Sequence, residues 1–156
     1  MSSKSAFRME SANTETPARI SDNTLYTDFG LYRYYQYSGG GVYVAGTFTM
    51  KDGIISGNKA MTGSGNGGIF NGGNVTLQGG EVSGNSAFYD ETHTAYLSYG
   101  GGIFNKTESV FSATGTKISG NTAVYGGGIY GTNADITLTD CLLEGNAAIY
   151  GDMMDC

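Results

Sequence analysis

The residues of this 156-residue chain that could carry out chemistry are few, and their spacing sets a limit on what they can do. His93 is the single histidine and stands in a polar stretch between Asp90-Glu91 and Tyr96. Acid–base work or metal binding needs carboxylates, imidazoles or thiolates converging from separate segments. Asp52 and Asp140 fall at the same place in an internal repeat but three repeats apart, so they form no such pair, and a lone loop histidine is read as inert. Gly63-Ser64-Gly65-Asn66-Gly67-Gly68 has the glycines of a phosphate-cradling loop, but no helix follows and no Lys-Ser/Thr closes it. Cys141 and Cys156 are read as reduced thiols in preference to a disulfide closing the last repeat. The expectation is no catalytic residue, no metal site and no cofactor.

Aromatic side chains are the stronger candidates. Tyr32, Tyr34 and Tyr35 lie in a variable segment at 24–38, and Phe88, Tyr89 and Tyr96 in another at 86–99. Tyrosine among serine and glycine offers large contact area at low entropic cost, the composition of an adaptable recognition surface. A second set, Tyr43, Phe70, Phe104 and Tyr130, occurs once per repeat, each directly after an apolar Val or Ile. Strand alternation turns this set outward, as a ladder able to stack on sugar rings. For both sets the competing reading is that the rings shield the side of the fold.

The elements that must position these rings are repeated. Ile20-Ser21-Asp22-Asn23, Ile55-Ser56-Gly57-Asn58, Val82-Ser83-Gly84-Asn85, Ile118-Ser119-Gly120-Asn121 and Leu143-Glu144-Gly145-Asn146 mark one half of the unit. Gly41-Val42-Tyr43, Gly68-Ile69-Phe70, Gly102-Ile103-Phe104 and Gly128-Ile129-Tyr130 mark the other. From the Val/Ile to the next asparagine is sixteen to eighteen residues, so large length variation lies after the asparagine. Such self-similarity is the mark of a solenoid, whose repeats bury their apolar side against their neighbours. Between the marks, Phe48-Thr49-Met50, Val75-Thr76-Leu77, Phe111-Ser112-Ala113 and Ile136-Thr137-Leu138 alternate apolar and hydroxyl residues as a strand does. Ala60, Ala87, Ala123 and Ala148 add a small inward column. Equivalent strands recur in the same direction, so they pair in parallel. The fold class expected is all-β, a right-handed parallel β-helix with three short strands per coil and about five coils. Asn58, Asn85, Asn121 and Asn146 are expected as structural turn residues that tolerate left-handed backbone and hydrogen-bond locally.

Two regions are expected: a polar leader or cap at 1–19, and the β-helix at 20–156. A net charge of −6 with eight scattered Lys and Arg leaves no basic stripe, which argues against nucleic acid. No apolar run reaches the length of a transmembrane helix or a signal-peptide core. The last repeat opens again at Gly151-Asp152-Met153-Met154 and is unfinished, and an uncapped parallel edge invites end-to-end self-association.

Gly-Gly-Ile-Phe-Asn at 67–71, Gly-Gly-Gly-Ile-Phe-Asn at 100–105 and the Ser-Gly-Asn-x-Ala turns resemble the repeats of polymorphic outer membrane proteins and adhesin-like β-helix proteins, over about residues 20–156. The resemblance implies an extracellular or cell-surface location and a role in adhesion, with a protein or polysaccharide surface as partner. The function expected is a noncatalytic module presenting Tyr-rich loops. Polysaccharide lyases and hydrolases also use this fold, and a purely structural spacer is the third reading.

Overall fold

A computed structural model of the chain describes residues 5–11, 15–26, 38–61, 65–88, 98–150 and 154–155. Every regular element among them is a β-strand. The first sheet contains Ala6–Glu10, Thr47–Lys51, Asn74–Gln78, Val110–Thr114 and Asp135–Thr139. The second contains Arg19–Ser21, Ile54–Ser56, Glu81–Ser83, Lys117–Ser119 and Leu142–Glu144. The third is built from Thr24–Tyr26, Lys59–Met61, Ser86–Ala87, Thr122–Tyr125 and Ala147–Tyr150. The fourth is built from Val42–Val44, Ile69–Asn71, Ile103–Asn105, Ile129–Gly131 and Met154–Asp155. A short pair, Ser38–Gly39 with Gly65–Asn66, stands apart. All these pairings are parallel, and the chain visits the four sheets in the same order on every circuit.

Registers place like on like. Phe7, Phe48, Val75, Phe111 and Ile136 are successive partners, as are Met9, Met50, Leu77, Ala113 and Leu138. Within the strands Thr47–Lys51, Asn74–Gln78 and Val110–Thr114 burial alternates residue by residue, with Phe48, Met50, Val75, Leu77, Phe111 and Ala113 turned inside. Ile55, Val82 and Ile118 from the second sheet and Ile69, Ile103 and Ile129 from the fourth complete a core that water does not reach. Its stabilisation comes from removing these side chains from water, on the order of 1.5–3 kcal/mol for each fully buried one.

One sequence expectation is corrected. The sequence pattern predicts three strands per repeat, and the structure has four, because the Asn-x-Ala segments pair as the third sheet. Those strands are short and turn little more than a small residue such as Ala60, Ala87 or Ala123 inward, too little alternation to be seen in the sequence. The segment expected as a polar leader or cap supplies the Ala6–Glu10 strand, whose Phe7 and Met9 pair with Phe48 and Met50. Met9 to Ile20 spans eleven positions where Met50 to Ile55 spans five, and that insertion hides the match.

The corner between the second and third sheets turns on one backbone angle. Gly57, Gly84, Gly120 and Gly145 have φ of 66, 60, 61 and 61°, and Asp22 takes the same place at 57°. Glycine adopts this left-handed conformation without the steric cost that a Cβ brings. Asp52 and Asp140 have the same explanation at the preceding corner, between the first and second sheets, where both have φ of 51° and stand on either side of Gly79 and Gly115 in the column. Their shared position reflects turn chemistry.

Candidate functional site

The left-handed residue at the Ser-Gly-Asn corner is the glycine, and the asparagine after it does other work. Asn58, Asn85 and Asn121 are wholly buried and Asn146 partly so. Each forms a rung of a ladder across circuits, in place of the local hydrogen bonds expected of a turn residue. The backbone N–H and Nδ2 of Asn58 donate to Asn85 Oδ1 at 3.0 and 2.9 Å, and those of Asn85 donate to Asn121 Oδ1, both at 3.0 Å. Asn121 donates likewise to Asn146 Oδ1, at 3.0 and 2.9 Å. The second Nδ2 hydrogen of each rung goes to a backbone carbonyl one circuit earlier: Ile20, Ile55, Val82 and Ile118. The Gly-Gly-Ile runs pass directly over this ladder. A Cβ at Gly68 would lie 3.1 Å from Asn85 Cγ and 2.5 Å from the Gly102 carbonyl oxygen, so close approach demands glycine there.

A second, shorter ladder lies in the fourth sheet. Asn71 Nδ2 donates to Asn105 Oδ1 at 2.9 Å, but Asn105 Nδ2 is buried without a partner. Its register neighbour on the next circuit is Gly131, which has no side chain to accept. Gly131→Asn should therefore extend the ladder and raise stability by about 1 kcal/mol, read as a higher urea midpoint. The only near obstacle to the new Cβ is Ile136 Cδ1 at 2.7 Å, the tip of a partly exposed side chain that can rotate away. An unchanged or lower midpoint would show that the orphan donor is not limiting.

The aromatic residues form two stacks. Tyr43, Phe70, Phe104 and Tyr130 lie face to face, with centroid separations of 4.8, 5.4 and 5.5 Å and interplanar angles of 7, 12 and 10°. Alternation turns this set outward, yet its middle is covered: Phe70 is 1% and Phe104 5% exposed. Tyr99 contributes to that cover, lying 6.1 Å from Phe104 and 4.6 Å from Tyr130. Tyr43, at 59% exposure, and Tyr130, partly buried, are the accessible ends.

Tyr99 also begins the second row, stacked 5.3 Å from Tyr125, which lies 5.6 Å from Tyr150 with the rings tilted by 35°. Register sets this spacing, since Tyr99 bridges Tyr125 and Tyr125 pairs with Tyr150. Buried Ser98 fixes where the chain re-enters: its hydroxyl donates to the Ala87 carbonyl, and its own carbonyl accepts Tyr125 N–H at 3.0 Å. Tyr99 and Tyr125 are partly buried, and Tyr150 is 53% exposed.

Of the six loop aromatics expected to carry contact, Phe88 is partly buried just beyond the Ser86–Ala87 strand, while Tyr32, Tyr34, Tyr35, Tyr89 and Tyr96 lie outside the described residues. So do His93 and Cys156, and Cys141 is a free, partly buried thiol. Sequence reasoning did not single out Tyr125 and Tyr150. The matching runs Asn121-Thr122-Ala123-Val124-Tyr125-Gly126 and Asn146-Ala147-Ala148-Ile149-Tyr150-Gly151 carried the signal.

Phe7 and Tyr43, both exposed, border an open cleft of about 170 Å³ with Val44, Thr47 and Phe48. Lys117 Nζ sits 2.9 Å from Glu144 Oε1, and the hydrogen bond and charge of that carboxylate hold the ammonium above the usual lysine range. Among the described residues no group of three His, Cys, Asp or Glu is placed to hold a metal ion, and no helix is long and apolar enough to cross a membrane. Comparison of the chain with family models, with curated proteins and with solved structures gives no match in any of the three.

Proposed function

We propose that the chain is a segment of right-handed parallel β-helix, about five coils of four strands, acting without catalysis as an adhesin-like binding module of a surface or secreted protein. The coil reading is supported by the fixed order of the sheets, each visit adding one parallel strand in register. The binding reading rests on the Tyr99–Tyr125–Tyr150 stack. Parallel strands hold these three phenol rings at intervals of 5.3 and 5.6 Å, with Tyr150 more than half exposed. A phenol presents an apolar face and a polar edge, the combination that receives sugar rings or apolar side chains bearing hydroxyls. Rings fixed in advance by the backbone lose little freedom on binding. In this reading the Tyr-rich segments at 24–38 and 86–99 widen the same recognition surface, for a protein or polysaccharide partner.

The test is retention of the chain on a panel of neutral and acidic polysaccharides and on cell-surface protein, with reducing ends and unsaturated products measured alongside. Replacing Tyr125 and Tyr150 together by Ser is expected to weaken retention about tenfold, since each ring contributes on the order of 0.5–1.5 kcal/mol beyond its area. Retention unchanged in that variant, and in one with the six loop aromatics replaced by Ser, would remove the aromatic reading. Breakdown of a polysaccharide would replace the module with an enzyme.

A further inference from the structure

We propose that a second copy of this chain docks head to tail, its Ala6–Glu10, Arg19–Ser21 and Thr24–Tyr26 strands continuing the sheets that end at Asp135–Thr139, Leu142–Glu144 and Ala147–Tyr150. It is independent of the binding reading.

The asparagine ladder has a direction. Each rung donates through its backbone N–H and Nδ2 to the Oδ1 of the next circuit. At one end Asn23 donates to Asn58, and among the described residues nothing donates to Asn23 Oδ1. At the other end Asn146 accepts from Asn121, and among the described residues nothing accepts from its backbone N–H or its second Nδ2 hydrogen. One end therefore lacks a donor where the other lacks an acceptor. Stacking Asn146 of one copy on Asn23 of the next satisfies both. The free Nδ2 hydrogen of that Asn23 then meets the Leu143 carbonyl, by the rule that every other rung obeys.

Side chains agree with this polarity. Ile136 and Leu143 are partly buried where their register partners Phe111 and Ile118 are wholly buried, so each inward column is open at this end. The docked copy offers Phe7, 55% exposed, to Ile136 and Ile20 to Leu143. Met9 is already buried, because its methyl group bends into the space above Gly53, where a Cβ would lie 2.6 Å from it. Charge adds a register mark. Lys117 reaches Glu144 diagonally on the next circuit, and Arg19 of the second copy takes the place beyond Leu142, with Glu144 between two cations. An open parallel edge is a template for such pairing. The chain carries a net charge of −6, so association strengthens with salt.

Sedimentation velocity of the full chain at physiological salt and above should show species larger than 16.3 kDa that grow with concentration. Phe7→Lys blocks one end and Leu143→Lys the other, because an inward cation that leaves through an open end is trapped by docking. Each variant alone should sediment as a single chain. An equimolar mixture should give a two-chain species and nothing larger, since one competent end of each kind remains. Thr137→Gln, an uncharged change on the outward face of the same edge, should associate as the native chain does. A native chain that stays a single 16.3 kDa species up to about 1 mM overturns the proposal. So does either blocked variant dimerising alone, which would mean like ends meeting, or Thr137→Gln suppressing association as strongly as Leu143→Lys.

Discussion

Asn85→Ala should unfold this protein more readily by about 3–5 kcal/mol, since two buried donors lose their acceptor at a cost of roughly 1–3 kcal/mol each and the ladder is broken as a unit. The donors are the backbone N–H and the Nδ2 of Asn58, which both point at Asn85 Oδ1. The Ile55 carbonyl also loses a side-chain donor, and Asn121 Oδ1 keeps only a backbone one. No water channel compensates, because Asn58, Asn85 and Asn121 are all fully enclosed. Such a loss is a large share of the roughly 5–15 kcal/mol that holds a typical domain folded. Asn85→Asp separates geometry from charge. The carboxylate keeps both acceptor positions but turns a bare oxygen toward Asn121 Oδ1 and the Ile55 carbonyl, and burial raises its pKa above the unfolded value. A raised carboxyl pKa means that the folded state holds the proton more tightly, so this variant should recover stability as pH falls and lose it as pH rises. Urea midpoints at pH 4 and pH 7, each referred to the native chain at the same pH, measure this. If Asn85→Ala moved the midpoint no further than Ser83→Ala does, the ladder would be incidental.

What could be read from the sequence was whatever repeats at short range. Phe48-Thr49-Met50 and Val75-Thr76-Leu77 show their inward and outward faces within three residues, and their strands were expected on that ground. The asparagines were visible as a column, but their bonding was not, because the partners lie 27 and 36 residues away along the chain. Nearby backbone was the natural expectation, and only stacking brings the distant rung closer. The aromatic ladder shows a similar limit. Its order followed from the repeat, whereas the burial of Phe70 and Phe104 depends on what comes over them from outside the repeat, including Tyr99 at the end of a variable segment. Tyr125 and Tyr150 stand in segments without local enrichment in aromatics, and only the register aligns them with each other and with Tyr99.

Phe111→Ala should cost about 3–5 kcal/mol, at the upper end for a core truncation, because its surroundings cannot close the space. Phe111 is fully buried between Val75 and Ile136 in register, and the next inward residue on its own strand is Ala113. Both neighbours in its column are smaller than the ring removed, and Ala113 has nothing to extend. Phe48→Ala is the informative contrast. Phe48 stacks at 5.5 Å on Phe7, which is more than half exposed and free to settle inward, so that variant should cost less than Phe111→Ala. The way the loss spreads follows from the sheets. Each circuit is held by its neighbours alone, so a gap at Phe111 weakens the grip on the strands after it more than on those before it. Hydrogen exchange in the Phe111→Ala variant should therefore show lost protection at Asp135–Thr139 and Leu142–Glu144, with Thr47–Lys51 close to native. Ala113→Leu in the same background restores volume to the neighbouring inward position, as Leu77 does beside Val75, and should return part of the stability. Protection lost evenly from all five strands of the first sheet would mean that the chain unfolds as one unit, and that the coupling between circuits is stronger than nearest-neighbour contact supplies.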